Sequence, residues 1–246
     1  EDDGADEDDG WGDVGLDETG GEVVEGAVAV LPEVLGALPG RWASRPMAVA
    51  RLDAGTEVAL ATGDPDIFVP ALLAQRVGSV EELTALDPEP LPAEPLVLDG
   101  VPDDLHVTLT QVGAALDAGV ATLRPDLAGV GDRLDEEFLT ACRRLLVQVA
   151  QGDPDVLRGR AGAAGTAAAV AWLVGKGNDL VGAGSPLRVK QLTDAFGVRA
   201  IPSARAQRLA EAAALPHAPE GETLALGSPR LLVSAARRAI IGTVRA

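Results

Sequence analysis

In "LHVTLTQVGAALDAGVATL" (Leu105–Leu123) the apolar residues Leu105, Leu109, Val112, Leu116, Val120 and Leu123 recur at intervals of four, three, four, four and three. Such intervals place the side chains on one stripe of a 3.6-residue helix. A helix with a single apolar stripe must bury it against other elements. The stretch therefore predicts a helix capped near Asp103, stopped before Pro125, and packed in a mainly α fold.

Downstream, the same arithmetic repeats. Leu134, Phe138, Cys142, Leu145 and Val149 predict a second amphipathic helix from Leu134 to Ala150, ended by Gly152. "AAGTAAAVAWLVG" (Ala163–Gly175) is apolar nearly all round, so it is expected to be the buried central helix of a bundle. In "SPRLLVSAARRAIIGTVRA", Ser228 is the expected N-cap and Pro229 the first-turn residue of a last helix. Its spacing puts Leu232, Ala236, Ala239 and Ile240 inward and Arg237 and Arg238 outward.

Between these lies "VKQLTDAFGVRAIPSARAQRLAEAA" (Val189–Ala213), which reads as helix, glycine turn, helix. Leu192 and Phe196 face inward, Gly197 takes positive φ, and Val198 anchors the corner. Pro202 opens the second helix, whose inner stripe is Ala206, Leu209 and Ala213. That is the shape of a helix-turn-helix. The spacing places Arg205 and Arg208 on one outer face and Arg199 in the corner. Arg188 and Lys190 lie at the start of the first helix. These five cations are the candidate nucleic-acid contacts, with Arg205 and Arg208 on the recognition helix and the others at phosphates.

Upstream of Asp103 the chain reads differently. "DPEPLPAEPLVLDGVP" (residues 87–102) holds five of the 17 prolines, has no helical period, and reads as an inter-domain linker. Ser79 and Glu82 fit a capping box before a short helix. "MAVARLDAGTEVALAT" (Met47–Thr62) fits a β-hairpin with Gly55 at positive φ. "EVVEGAVAVLPEVLGALPGRW" (Glu22–Trp42) has the spacing of a short helix broken near Pro32. Residues 27–86 are thus a smaller unit, of α or α+β class, and residues 103–246 a helical domain. "GDPDIF" and "GDPDVL" share capping chemistry, with Asp64 and Asp153 as N-caps and Pro65 and Pro154 at first helical positions.

Charge is unevenly distributed. The chain carries −18, with 38 acids against 20 Lys and Arg. Residues 1–25 hold twelve acids and no base, and the acidic tail, residues 1–26, is expected to be disordered because its like charges repel. Residues 187–246 hold nine bases against four acids, a net +5, leaving −23 for the remainder. A chain that DNA should repel therefore has one mildly basic end.

Catalytic and cofactor motifs are absent. There is no G-x-S-x-G elbow and no G-x-x-x-x-G-K-[ST] loop. His106, His217 and Cys142 have no zinc-site spacing, and "GKGNDLVGAG" (Gly175–Gly184) follows a helix rather than a strand. No enzyme activity, metal or cofactor is expected. The single Cys142 is expected to be a buried apolar residue. No apolar run is long enough to span a membrane, no leader-like stretch is present, and the Ala/Gly/Val/Arg bias suggests a bacterial cytoplasmic protein.

The segments "LDEEFLTACRRLLVQVAQGDPDVLRGRAGAAGTAAAVAWLVGKGNDLVG", "VKQLTDAFGVRAIPSARAQRLAEA" and "LGSPRLLVSAARRAII" together resemble an uncharacterised bacterial domain family. Its members join a Leu-Asp-Glu helix and an Ala-rich helix to a Gly-x-x-Asn segment, here ending at Asn178, and a helix-turn-helix-like unit. The resemblance covers Leu134 to Ile241 and implies the helical fold, with no activity attached. Asp179 and Leu180 stand where many relatives have aromatics. "RAIP" replaces a Ser/Thr-rich turn, removing hydroxyls that would bond phosphates. Two functions are therefore expected: a non-enzymatic protein-interaction or structural module, or a helix-turn-helix nucleic-acid-binding protein. The first predicts a protein partner and a large apolar patch beside the helix pair.

Overall fold

The computed structural model describes residues 28–29, 48–53, 56–60, 73–159, 162–182, 184–201, 203–216 and 224–245. The acidic tail, Gly55, Asp64 with Pro65, Pro202 and His217 lie outside the described residues.

Three strands, β1 (Val28–Ala29), β2 (Ala48–Asp53) and β3 (Thr56–Leu60), form an antiparallel sheet in that order. β2 and β3 pair as the expected hairpin arms, with Val49 opposite Ala59 and a register shift between Arg51 and Asp53. Val28 and Ala29, read in sequence as helix, pair with Val49 and Ala48 instead. A two-residue apolar run fits either period, and the pairing partner decides.

The rest is mainly α, a helical bundle. Residues 73–77 are helical, and α1 (Val80–Thr84) follows with Ser79 as N-cap, accepting from the Glu82 N–H at 3.1 Å. Then come α2 (His106–Ala128), α3 (Leu134–Gly152), α4 (Ala163–Gly177), α5 (Val189–Ala195), α6 (Ser203–Ala212) and α7 (Ser234–Arg245). α2, α3 and α4 pack on one another, α6 lies on α4, and α5 on α2.

The stripe Leu105 to Leu123 is at most 3% exposed throughout, and Leu134, Phe138, Cys142, Leu145 and Val149 are buried. Each buried leucine contributes roughly 1.5–3 kcal/mol. α4 buries Thr166 to Ala171 and Leu173 to Gly175 without a break, which makes it the central helix. Its alanines let neighbouring backbones approach closely. Burial raises the Cys142 thiol far above its ordinary pKa, which suits an inert core residue.

α2 continues through Pro125, where the sequence reading ended it. Proline lacks the N–H for its own helical bond. Leu127 extends the stripe one step beyond Leu123 and is fully buried, and that packing carries the last turn. Ser228 is a cap, but of a separate 3₁₀ turn (Pro229–Leu231) rather than of α7. Asp153 likewise caps the 3₁₀ turn Pro154–Leu157, accepting from the Asp155 N–H.

Residues 86–102 form no helix or strand. They lie as a strap on the bundle, with Leu91 and Val101 buried. The Leu91 N–H donates to Glu137 of α3, and the Glu94 N–H to Thr140. Thr140 donates to the Pro92 carbonyl, Arg143 to the Glu94 carbonyl, and Gln151 to the Asp99 carbonyl. A free tether has no such bonds. Prolines exclude regular structure but leave carbonyls that α3 side chains engage.

Candidate interaction site

The helix pair has the expected corner. Gly197 has φ +64, the region open to glycine, and the Val198 N–H returns to the Thr193 carbonyl at 3.0 Å. Leu192, Phe196, Ala206, Leu209 and Ala213 are buried. The Phe196 ring seats against Gly119 of α2, where an added Cβ would fall 2.3 Å from its Cε1. A glycine there is a socket for the ring.

The five candidate cations do not form one exposed face. Arg205 is only 7% exposed. Its Nε–H donates to Thr166 Oγ1 on α4 at 3.0 Å, and its Nη1 lies 3.5 Å from the Val156 carbonyl. Burial, and secondarily the charge of Arg208, lower its pKa. Helical spacing placed Arg205 outward, but position 205 adjoins the Ala206/Leu209 stripe where α6 crosses α4. The long side chain fills that junction instead. Lys190 is exposed but paired to Asp194 at 3.1 Å. Arg188, Arg199 and Arg208 are exposed. The Arg188 backbone N–H donates to Gln191 Oε1, and Arg208 Nε to the Ala204 carbonyl at 3.4 Å.

The apolar patch expected beside the pair is not found among the described residues. Val189 is its exposed large apolar residue, while Val198 and Ile201 are half-buried. Leu192, Phe196, Ala206, Leu209 and Ala213 turn into the core.

The last helix also differs from expectation. Arg238 is exposed, but Arg237 is 8% exposed and Ala239 is exposed. Arg237 donates to the Leu232, Pro229 and Glu89 carbonyls and pairs with Asp87 at 3.1 Å. Three carbonyls and an acid converge there, and one guanidinium bonds them all. Burial lowers the pKa of Arg237, and Asp87 and Glu137 oppose that shift.

Two polar residues were missed in the sequence. Glu137, 1% exposed, accepts from the Ser234 N–H (2.6 Å), Ser234 Oγ (2.8 Å) and the Leu91 N–H (3.2 Å). It ties α3, the strap and the start of α7 together. Its signal was a carboxylate three residues after Leu134 and four before Ala141, inside the apolar stripe. Asn178, at the C-cap of α4, donates to the Val174 and Leu231 carbonyls and accepts from the Val233 N–H at 2.8 Å. The conspicuous Asn of "GKGND" is therefore a clip between α4 and the segment before α7.

A cleft of ≈ 570 Å³ lies between the strap, α3 and the 3₁₀ turn before α7. Glu94 and Arg144 form a two-bond pair across its floor at 2.6 and 2.8 Å, and Arg144 also donates to the Arg230 carbonyl. The Arg144 hydrogen bond holds the Glu94 carboxyl below its ordinary pKa. Arg143 and Arg230 lie in the same wall, and Arg143 pairs with Asp117 at 2.6 Å.

Among the described residues, no group of three or more His, Cys, Asp or Glu is placed to hold a metal ion. No helix there is long and apolar enough to cross a membrane. Comparison with protein-family models, curated proteins and solved structures returns no match.

Proposed function

We propose that this chain is a non-enzymatic protein-interaction or structural module, and that its contacts do not use an apolar face beside the helix pair, where the described residues expose only Val189 among large apolar side chains. The observation that carries the reading is the burial of Arg205 against Thr166. The helix that would enter a DNA groove has turned its first arginine into the fold. Lys190 is neutralised by Asp194. Phosphate binding relies on several free cations acting together, and those that remain are attached to a chain of −18. A bacterial cytoplasmic setting, and kinship with the uncharacterised family that the sequence resembles, belong to the same proposal.

A nucleic-acid role is the second reading, favoured by the exposure of Arg188, Arg199 and Arg208. Anisotropy titration of a labelled random duplex at low salt decides between the two. The interaction reading expects no saturable binding tighter than roughly 10⁻⁶ M. Tighter binding that weakens with salt and is lost in Arg199→Ala and Arg208→Ala would overturn it.

A further inference from the structure

We infer that the cleft between the strap and α3 docks an extended acidic peptide of a partner protein, an inference resting on the protein-interaction function proposed above. The recognition chemistry is already at work in cis. α3 holds one extended acidic segment, the strap, by side chains that bond its backbone and by Arg144 forked onto Glu94. A two-bond arginine–carboxylate contact is directional and favours a planar acid. Beside it, the same cleft carries one further arginine, Arg230, whose guanidinium is uncommitted among the described residues.

Among the described residues the Arg230 guanidinium has no hydrogen-bond acceptor, although Glu94 lies within its electrostatic reach. Arg144 is committed to Glu94 and Arg143 to Asp117, so Arg230 is the cation of this wall left to meet a bound carboxylate. Repulsion from distant acids is screened beyond about 8 Å at physiological salt, so the cleft's own charges govern a bound acid.

The remaining wall suits a peptide rather than a small anion. Pro95, Val97, Val147 and Leu231 give it apolar surface, and Val97 is 49% exposed. The backbone of Leu96 and Val97 makes no hydrogen bond among the described residues. Its free N–H and C=O groups can pair with a second extended chain laid along the strap. Backbone pairing at Val97, an apolar side chain against Val147 and Leu231, and a carboxylate on Arg230 together define an alternating acidic and aliphatic segment. Its side-chain period of two would suit that arrangement.

The test uses the full chain and two fluorescein-labelled peptides, (Glu-Val)₃ and (Gln-Val)₃, read by anisotropy. Saturable binding of the acidic peptide is expected, about tenfold weaker for the glutamine peptide and for R230E, with R230K largely restoring it. Arg230 is exposed and uses only its backbone within the fold, so unchanged thermal melts of R230E are expected alongside. Equal binding of both peptides, an unaffected R230E, or no binding overturns the inference. Random duplex DNA in the same assay separates the two levels of failure. DNA binding without peptide binding also removes the interaction reading, whereas binding of neither removes the cleft alone.

Discussion

Replacing Arg205 by alanine distinguishes a core arginine from a DNA contact. Alanine removes the Cγ and Cδ methylenes, each contributing about 0.8 kcal/mol when buried. It also removes the donor to Thr166 at 3.0 Å and the weak contact to Val156. A charged hydrogen bond contributes about 1.5–3 kcal/mol, but the guanidinium loses hydration on burial by a similar amount. Those two effects largely cancel, because Thr166 keeps its own donation to the Gly162 carbonyl. The net loss is then about 2 kcal/mol, dominated by packing. For a chain of this size each kcal/mol moves Tm by about 2–4 °C, so Arg205→Ala should melt roughly 4–8 °C lower. Arg208→Ala, at an exposed position, should change stability by less than about 0.5 kcal/mol. Arg205→Met keeps a long apolar stem without charge and should stay within about 1 kcal/mol of the parent. Circular-dichroism melts and duplex-DNA anisotropy on the same samples provide the readout. An Arg205→Ala protein that melts like the parent and loses a measurable DNA affinity would refute the reasoning.

Other outcomes follow from the same contacts. Gly119→Ala should destabilise by about 1–3 kcal/mol through collision with the Phe196 ring, and Phe196→Leu in the same chain should recover part of it, as measured by chemical denaturation. Asn178→Ala leaves the Val233 N–H and Leu231 carbonyl without their partner, so a loss of about 2–3 kcal/mol is expected in urea unfolding. Arg144 holds the folded-state pKa of Glu94 below the ordinary 4.5, so the pair's stabilisation is complete above that value and lost as pH falls through the lower folded value. The hydrogen-exchange protection factors of the strap, corrected for the intrinsic rate at each pH, should fall as the pH drops below 4.5, and Glu94→Gln should flatten that dependence. Cys142 should resist a thiol reagent in the native protein and react on unfolding, and fast native labelling would contradict its burial.

The helical pattern was legible because it depends on local periodicity. The Leu105–Leu123 stripe, the α3 stripe and the apolar continuity of α4 each predicted burial that the fold bears out. Capping was equally legible at Ser79 and Asp153, where a short side chain bonds its own neighbours. The candidate site was less so. Arg205 and Arg237 carry charges that propensity rules place in water. Their burial depends on acceptors distant in sequence: Thr166 for one, and Asp87 with the Glu89 carbonyl for the other. The strap was read as a linker for a related reason. Its composition reports the absence of helix, but its bonds to Thr140, Arg143 and Gln151 span some fifty residues.

Sequence alone determined that this chain is mainly helical, where most helices lie, and that a glycine turns the corner at 197. Those properties follow from spacing, capping and backbone freedom within a few residues. Tertiary structure decided which polar groups are buried, that the strap is bound, and that α2 passes through Pro125. It also turned the helix pair inward and set the arginine-lined cleft beside α3. Each of those outcomes depends on which distant acceptor or apolar surface reaches a side chain once the helices have packed, and spacing along the chain carries no record of that meeting.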